Sequence, residues 1–210
     1  MFRSLTPAVR AIILTNVVVF LIEQVALDPL LRYGALWPIG PAFRPWQLVT
    51  YAFLHGGTSS MLFNLMHIFF NMFALYVFGP ALESYWGPRR FLAYYFVCVI
   101  AAAITQLTVQ YASGGGEPTI GASGGIFGVL LAFAMLFPRA RLLLLLPPIP
   151  MPAWLFVTIY GVLELIFGVT GTEAGIAHFA HLGGMLGGAL TMLYWRSRAD
   201  GGGWRPRGSL

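Results

Sequence analysis

Long apolar stretches, separated by short polar or glycine-rich segments, form the main pattern of this 210-residue sequence. The hydrocarbon core of a bilayer is about 30 Å thick, and a helix needs about 20 apolar residues to cross it. The stretches that approach this length are residues 8–27, 60–79, 91–111, 123–137, 152–169 and 175–195. The pattern therefore predicts an all-α membrane protein, a bundle of six transmembrane helices.

The first two stretches are joined by a long segment, residues 28–59, which is rich in Pro, Trp and Gly. It is too polar to cross a membrane, and aromatic residues concentrate at membrane–water interfaces. We therefore expect a loop with short helices that lies at the outer interface, beginning at Asp28 and Pro29. The helices are expected to form one domain over residues 1–200, followed by a flexible basic tail over 201–210.

Composition excludes an ordinary soluble domain. Hydrophobic residues make up 58% of the chain and charged residues 9%, and the mean hydropathy is +0.77, whereas soluble domains carry about 25% charge. The single cysteine, Cys98, permits no intrachain disulfide. The net charge of +5 comes from arginines spread over short loops, which indicates a lipid bilayer as partner and no nucleic acid.

Arginine placement orients the predicted bundle. With the N-terminus in the cytoplasm, only Arg32 and Arg44 fall on the outer side. The arginines on the inner side are Arg3, Arg10, Arg89, Arg90, Arg139, Arg141, Arg196, Arg198, Arg205 and Arg207. This positive-inside bias predicts that both termini are cytoplasmic. The short loops favour a prokaryotic cytoplasmic (inner) membrane, and the sequence leaves the oligomeric state open.

The run from Gly121 to Gly125 carries the first candidate for chemistry. Its serine, Ser123, opens a stretch of only 15 residues, which gives about 22 Å of helix at 1.5 Å per residue. The glycine-rich loop before it can dip inward, and non-helical backbone at membrane depth is tolerated where it lines a water-filled cavity. Ser123 is therefore expected below the outer surface, with free backbone N–H groups beside it. A small-residue helix-packing motif is the competing interpretation.

Two histidines are expected at a similar depth. His181 lies about 9 Å and His67 about 10 Å from the outer ends of their stretches, counting the helical rise. Gly184 and Gly188 share the face of His181, so a neighbouring helix can approach closely enough for a Ser–His hydrogen bond. His67 and Asn71 form an i, i+4 pair of donors that can stabilise an oxyanion or join helices.

These motifs make the chain similar to the rhomboid intramembrane serine proteases. They are Gly-x-Ser-Gly at Ser123, Ala-His-x-x-Gly-x-x-x-Gly at His181 and His-x-x-x-Asn at His67. The resemblance covers residues 45–188 and includes Gly79 and Glu83 near the end of the second stretch. It implies a bundle of six helices that cuts single-span transmembrane substrates near the outer leaflet.

The resemblance also implies the roles of individual residues, with no cofactor and no metal. Ser123 is the expected nucleophile and His181 the expected general base, while His67, Asn71 and the Ser123 amide would hold the oxyanion. A catalytic dyad is expected, because no Asp or Glu lies on a motif-matching position. The residues expected to line or support the cavity are Gly121, Gly124, His178 and Asn64.

The sequence departs from the family pattern at two places. Gln47 follows Trp46 where the family commonly has arginine, so no role is assigned to that position. Residues 60–66 and 67–73 also read as a tandem heptad, in which Ser60 and Asn64 repeat the positions of His67 and Asn71. Asn64 is therefore an alternative to Asn71 beside the oxyanion.

Other functions account for fewer of these serine, histidine and asparagine motifs. An inactive rhomboid relative that binds membrane helices for quality control usually lacks the serine or the histidine. A transporter would use Glu23 and Glu164 as ion ligands, although hydrogen bonding within the bundle is the simpler expectation. A zinc protease would need His-Glu-x-x-His, a haem protein would leave the serine unused, and a soluble hydrolase would need alternating strands and helices.

Overall fold

Seven α-helices contain most of the residues that the computed structural model describes, which are 5–57, 60–143, 149–171 and 177–198. The helices are α1 (Pro7–Gly34), α2 (Gln47–Thr50), α3 (Met61–Trp86), α4 (Pro88–Ser113), α5 (Ser123–Leu136), α6 (Ala153–Thr170) and α7 (His178–Arg198). A single 3₁₀ turn, Tyr51–Phe53, follows α2. Two short strands, β1 (Arg141–Leu143) and β2 (Pro150–Pro152), lie between α5 and α6. The predicted start of the last stretch at Gly175, Arg3 and the predicted tail over 201–210 lie outside the described residues.

Each of the six predicted stretches contains a helix, although the end residues Ser60, Phe137, Pro152 and Ala177 are not helical. The six helices do not qualify equally as membrane spans. Four helices, α1, α3, α4 and α6, are long and apolar enough to cross a bilayer. Helix α5 is apolar but has 14 residues, and α7 is not among the four because its glycines and histidines lower its hydropathy. Crossing by six helices therefore stays a prediction.

Helix α1 continues past the predicted boundary at Asp28 and Pro29. The backbone leaves helical geometry only at Ala26, with φ −142° and ψ 44°, and the helix then resumes to Gly34. A proline inside a helix removes one hydrogen bond and clashes with the carbonyl four residues earlier, which kinks the helix. Pro29 therefore bends α1 and does not end it, and the predicted start of the loop at residue 28 is wrong.

Two buried glutamates fasten α1 to its neighbours. Glu83 of α3 accepts hydrogen bonds from the backbone N–H groups of Ala8 and Val9, at 2.9 and 2.8 Å, and so satisfies free donors at the start of α1. Glu23 of α1 accepts hydrogen bonds from the backbone N–H groups of His55 and Gly56, each at 3.1 Å. The expectation that Glu23 hydrogen-bonds within the bundle is confirmed.

The segment between α1 and α3 contains the predicted short helices, and Gln47 organises it. This side chain is fully buried. Its carbonyl oxygen accepts a hydrogen bond from the Arg44 backbone N–H at 3.0 Å, and its amide donates to the Ala42 carbonyl at 3.2 Å. Gln47 therefore stabilises the loop at the position where the sequence departs from the family. The location of this loop at the outer interface stays a prediction.

The small antiparallel hairpin was not predicted. Its strands pair Arg141 with Pro152 and Leu143 with Pro150. Proline lacks a backbone donor and is tolerated mainly at sheet edges, so a proline-rich segment gave no strand signal. A two-stranded ribbon has edges only, which is why it accommodates these residues.

Helices α4, α5 and α7 pack through glycines. A Cβ atom added to Gly184 of α7 would collide with the carbonyl oxygen of Gly124 on α5, and one added to Gly188 would collide with the hydroxyl of Tyr94 on α4. The predicted close approach along the Gly184–Gly188 face is therefore confirmed, with α5 at the first glycine and α4 at the second. This backbone contact brings the start of α5 against the start of α7.

Candidate active site

Ser123 and His181 are hydrogen-bonded to each other across two helices. The Oγ of Ser123 lies 2.7 Å from the Nε2 of His181. Ser123 is the first residue of α5, so its backbone N–H has no acceptor within that helix. The residue two positions earlier, Gly121, has φ +117°, a conformation that favours glycine, and its N–H donates to the Tyr51 carbonyl at 2.9 Å.

Phe127 fixes the plane of the His181 ring. The two rings are stacked with their centroids 4.3 Å apart and 5° between their planes. Phe127 lies four residues after Ser123, so both side chains share one face of α5. No motif in the sequence marks Phe127, although its i+4 spacing from Ser123 is a signal that the sequence contains.

A carboxylate completes the contacts of His181. Oε2 of Glu164, on α6, lies 2.8 Å from Nδ1 of His181 and 2.7 Å from Nδ1 of His178. Glu164 lies on no motif-matching position, so the expected dyad stays a prediction, while the expectation that Glu164 hydrogen-bonds within the bundle is confirmed. His178, assigned to the cavity lining, is buried beside this carboxylate.

The same three side chains could hold a metal ion. The ligand atoms of Glu164, His178 and His181 all lie within 4.8 Å of one another. Imidazole and carboxylate are common zinc ligands. The hydrogen bonds from both rings to one carboxylate already account for this arrangement, so the metal-free interpretation needs no further group.

His67 borders the other side of the serine. A Cβ atom added to Gly121 would lie 2.8 Å from Nε2 of His67 and 3.7 Å from Oγ of Ser123. The ring and the hydroxyl therefore face one small space that only a glycine at position 121 leaves open. His67 therefore borders the space beside the Ser123 hydroxyl, and its role as a donor to an oxyanion stays a prediction.

The two asparagines of α3 are both buried. The amide of Asn71 donates to the carbonyl of His67 at 2.8 Å, which is the usual bond of a short polar side chain to the carbonyl four residues earlier. Ser60, the repeat of His67, precedes α3 and accepts a hydrogen bond from the Phe63 N–H at 3.3 Å. The oxyanion roles of Asn71 and Asn64 stay predictions.

His55, which no sequence motif marks, lies against His67. The ring centroids are 4.9 Å apart, and the side chain of His55 is fully buried. Burial, and next the charge of His67, lower the pKa of His55 to about 3, opposed by a hydrogen bond to the Phe53 carbonyl. His55 is therefore neutral at neutral pH.

The known proteins that this chain resembles all carry the name of one family. The model of the Rhomboid domain matches residues 42–198. The chain is 35% identical over 135 residues to Rhomboid protein 1, mitochondrial, of Saccharomyces cerevisiae, a match that covers 59% of this chain and 36% of that protein. It is 28% identical over 204 residues to the human Presenilin-associated rhomboid-like protein, mitochondrial, covering 90% of this chain and 50% of that protein.

A bacterial relative is also found. The chain is 27% identical over 132 residues to Rhomboid protease GlpG of Klebsiella pneumoniae, covering 62% of this chain and 43% of that protein. The chain thus spans between about a third and a half of the length of these curated relatives. Two of these three relatives are named as mitochondrial, so the comparisons do not support the predicted prokaryotic membrane.

Proposed function

The chain belongs to the rhomboid family of multi-pass integral membrane proteins, and from this premise we propose that it is an intramembrane serine endopeptidase. In this proposal Ser123 and His181 cleave a peptide bond in the transmembrane region of a single-span substrate near the outer leaflet. The observation that supports it most directly is the 2.7 Å hydrogen bond between Ser123 Oγ and His181 Nε2. The mitochondrial and bacterial relatives include one named as a protease.

The proposed reaction begins at the hydroxyl of Ser123. Oγ attacks the carbonyl carbon of the scissile bond while its proton passes to Nε2 of His181, which later gives it to the leaving amine. Water then attacks the acyl-enzyme with His181 again as base. The short distance between the two atoms lies within the range that such a proton transfer requires.

The negative oxygen of the intermediate would lie between α5 and α3. The backbone N–H of Ser123 points from a helix start, where donors are free and the helix dipole favours negative charge. Nε2 of His67 faces the same space beside Gly121. We propose these two groups and the Asn71 amide as the oxyanion donors.

Membrane reconstitution with a model single-span substrate tests the proposal. We expect Ser123→Ala to lower kcat by at least about 10⁴-fold, as loss of the nucleophile does in serine proteases. Ser113→Ala, at an exposed position at the end of α4, is the matched control and should retain wild-type turnover. Full cleavage by Ser123→Ala would rule the mechanism out.

Labelling by a fluorophosphonate gives a second readout that needs no substrate. Labelling should occur at Ser123 and slow markedly in His181→Ala, because the base activates the hydroxyl. An inactive relative that only binds membrane helices would capture the substrate without Ser123-dependent cleavage or labelling.

A further inference from the structure

We propose that Glu164 is the third member of this site, a positioning residue that acts on the substrate only through His181. The inference rests on the proposed function, since a base must be needed before its positioning matters. It replaces the expected dyad with a Ser–His–Glu arrangement contributed by three helices: Ser123 from α5, His181 from α7 and Glu164 from α6. The contacts on the two ring nitrogens of His181 carry the argument.

The carboxylate selects the tautomer of His181. An ionised carboxylate only accepts hydrogen bonds, so Nδ1 of His181, 2.8 Å from Glu164 Oε2, must carry the proton. In the neutral ring the other nitrogen, Nε2, is then an acceptor. Nε2 is the atom that lies 2.7 Å from the hydroxyl of Ser123, so Glu164 holds His181 in the form that can take the proton from Ser123.

The carboxylate also faces the charge that catalysis creates. The side chains of Glu164 and His181 are only 13% and 10% exposed, and electrostatic interactions are stronger in such surroundings than in water. When Ser123 attacks, its proton moves to Nε2 and the ring becomes an imidazolium. The proton on Nδ1 stays there, hydrogen-bonded to Glu164, and the carboxylate remains ionised throughout.

His178 keeps the carboxylate in place. Its Nδ1 lies 2.7 Å from the same oxygen, Oε2, that His181 contacts, and a carboxylate oxygen can accept two hydrogen bonds. His178 and His181 are three residues apart, on one face of α7. The histidine pair therefore presents two donors to one acceptor, and Phe127 stacks on the face of the His181 ring. Together these contacts leave the ring little freedom to turn away from Ser123.

Substitution of Glu164 in the full-length protein, reconstituted with a model single-span substrate, tests the inference. We expect Glu164→Gln to lower kcat by roughly 10²- to 10⁴-fold, as the change from carboxylate to amide does in a serine-protease triad. KM should change less than about twofold, because the lost interaction forms with the transition state. Glu164→Asp, which keeps the charge on a shorter stem, should recover part of the loss. Leu165→Ala, the exposed neighbour on α6, is the control and should keep the wild-type kcat.

A structural role would give a different result. If Glu164 only held the helices together, kcat, KM and thermal stability would deteriorate together, and His178→Ala would cost as much kcat as Glu164→Gln. Either outcome overturns the inference, as does a kcat of Glu164→Gln within twofold of wild type. We expect His178→Ala to lower kcat much less, since the bond from Glu164 to His181 remains.

Proton NMR of the detergent-solubilised protein provides a readout that does not depend on turnover. A strongly downfield N–H resonance from His181 should be present in the wild type and in Ser123→Ala, and lost in Glu164→Gln. Its presence in all three proteins overturns the inference. Failure of the proposed function would give a different result. In that case Ser123→Ala would cleave the substrate like the wild type, whatever the effect of Glu164→Gln.

Discussion

Two pairs of histidines meet near Ser123, and their surroundings are opposite. His178 and His181 share the carboxylate of Glu164. The rings of His55 and His67 instead lie against each other, and among residues 5–57, 60–143, 149–171 and 177–198 neither ring pairs with a carboxylate. A positive charge on the ring would therefore be stabilised in the pair of His178 and His181. In the pair of His55 and His67 a positive charge would be destabilised.

The contrast separates the two tasks that hydrolysis of a peptide bond requires. A general base gains a positive charge in the transition state, so a carboxylate beside it lowers the barrier. A donor to an oxyanion can act as a neutral group, and a positive charge buried there without a partner would be costly. We infer that His181 and His67 are suited to different roles by their neighbours and not by their own chemistry.

After the loss expected in Glu164→Gln, the next largest effect of breaking this contrast is expected on the side of His67. We expect His67→Ala to lower kcat by about 10²- to 10³-fold, which is the cost of removing one oxyanion donor elsewhere. His67→Gln keeps an N–H donor and should lose less. Measurement of kcat for the reconstituted variants checks this, with thermal stability as the control for folding.

The same assay sharpens the choice between the two asparagines. A greater loss of kcat in Asn71→Ala than in Asn64→Ala would support the heptad of His67 as the one that serves the oxyanion. The reverse order would assign that role to Asn64, and an unchanged kcat in His67→Ala would contradict the role of the whole face.

A smaller effect is expected on the pH dependence of stability through His55. Its pKa is lowered to about 3 in the folded protein from 6.5, so between these values the unfolded chain binds more protons. The contribution of His55 to the free energy of unfolding is therefore complete above about pH 6.5. It falls as the pH decreases toward 3, by about 2 kcal/mol at pH 5. Unfolding in detergent at pH 8 and pH 5 measures the difference.

His55→Phe is the matched variant for that experiment. It fills the buried site with an apolar ring of similar size, and Nε2 of His55 has no hydrogen-bond partner among the described residues. The loss of stability between pH 8 and pH 5 should shrink by the amount assigned to His55. An identical pH dependence in both proteins would show that another group is responsible.

The contact between Ser123 and His181 could be predicted because helical rise gives the depth of each residue in its stretch. Gly184 and Gly188 also indicated that another helix packs closely against the face of His181. Glu164 was expected to hydrogen-bond within the bundle, but its contact with His181 was not predicted because its depth was not counted. It lies five residues from the outer end of the predicted stretch over 152–169, hence about 8 Å deep, in the layer of the other two. No local motif marks it, since its partners come from another helix.

Other features could not be predicted for a different reason. The continuation of α1 beyond Pro29 depends on contacts distant in sequence, since the Trp46 indole donates to the Tyr33 carbonyl and the Thr50 hydroxyl donates to the Gly34 carbonyl. The hairpin of β1 and β2 likewise depends on pairing that neither strand specifies alone. Short-range patterns identify the helices here, while long-range polar contacts decide where they bend and which side chains meet.

The smallest effect tests whether His181 is held by its ring face as well as by its nitrogens. Stacking of aromatic rings contributes about 0.5–1.5 kcal/mol beyond burial. Glu164 binds both His178 and His181, and Phe127 stacks on the ring of His181. We expect Phe127→Leu to lower kcat by up to about tenfold with little change in KM, and Phe127→Tyr to stay near wild type. Phe156→Leu on α6 is the control, because that ring packs on Tyr160 and not on the histidine. If Phe127→Leu turned over at the wild-type rate, the hydrogen bonds to Ser123 and Glu164 would suffice to orient the base.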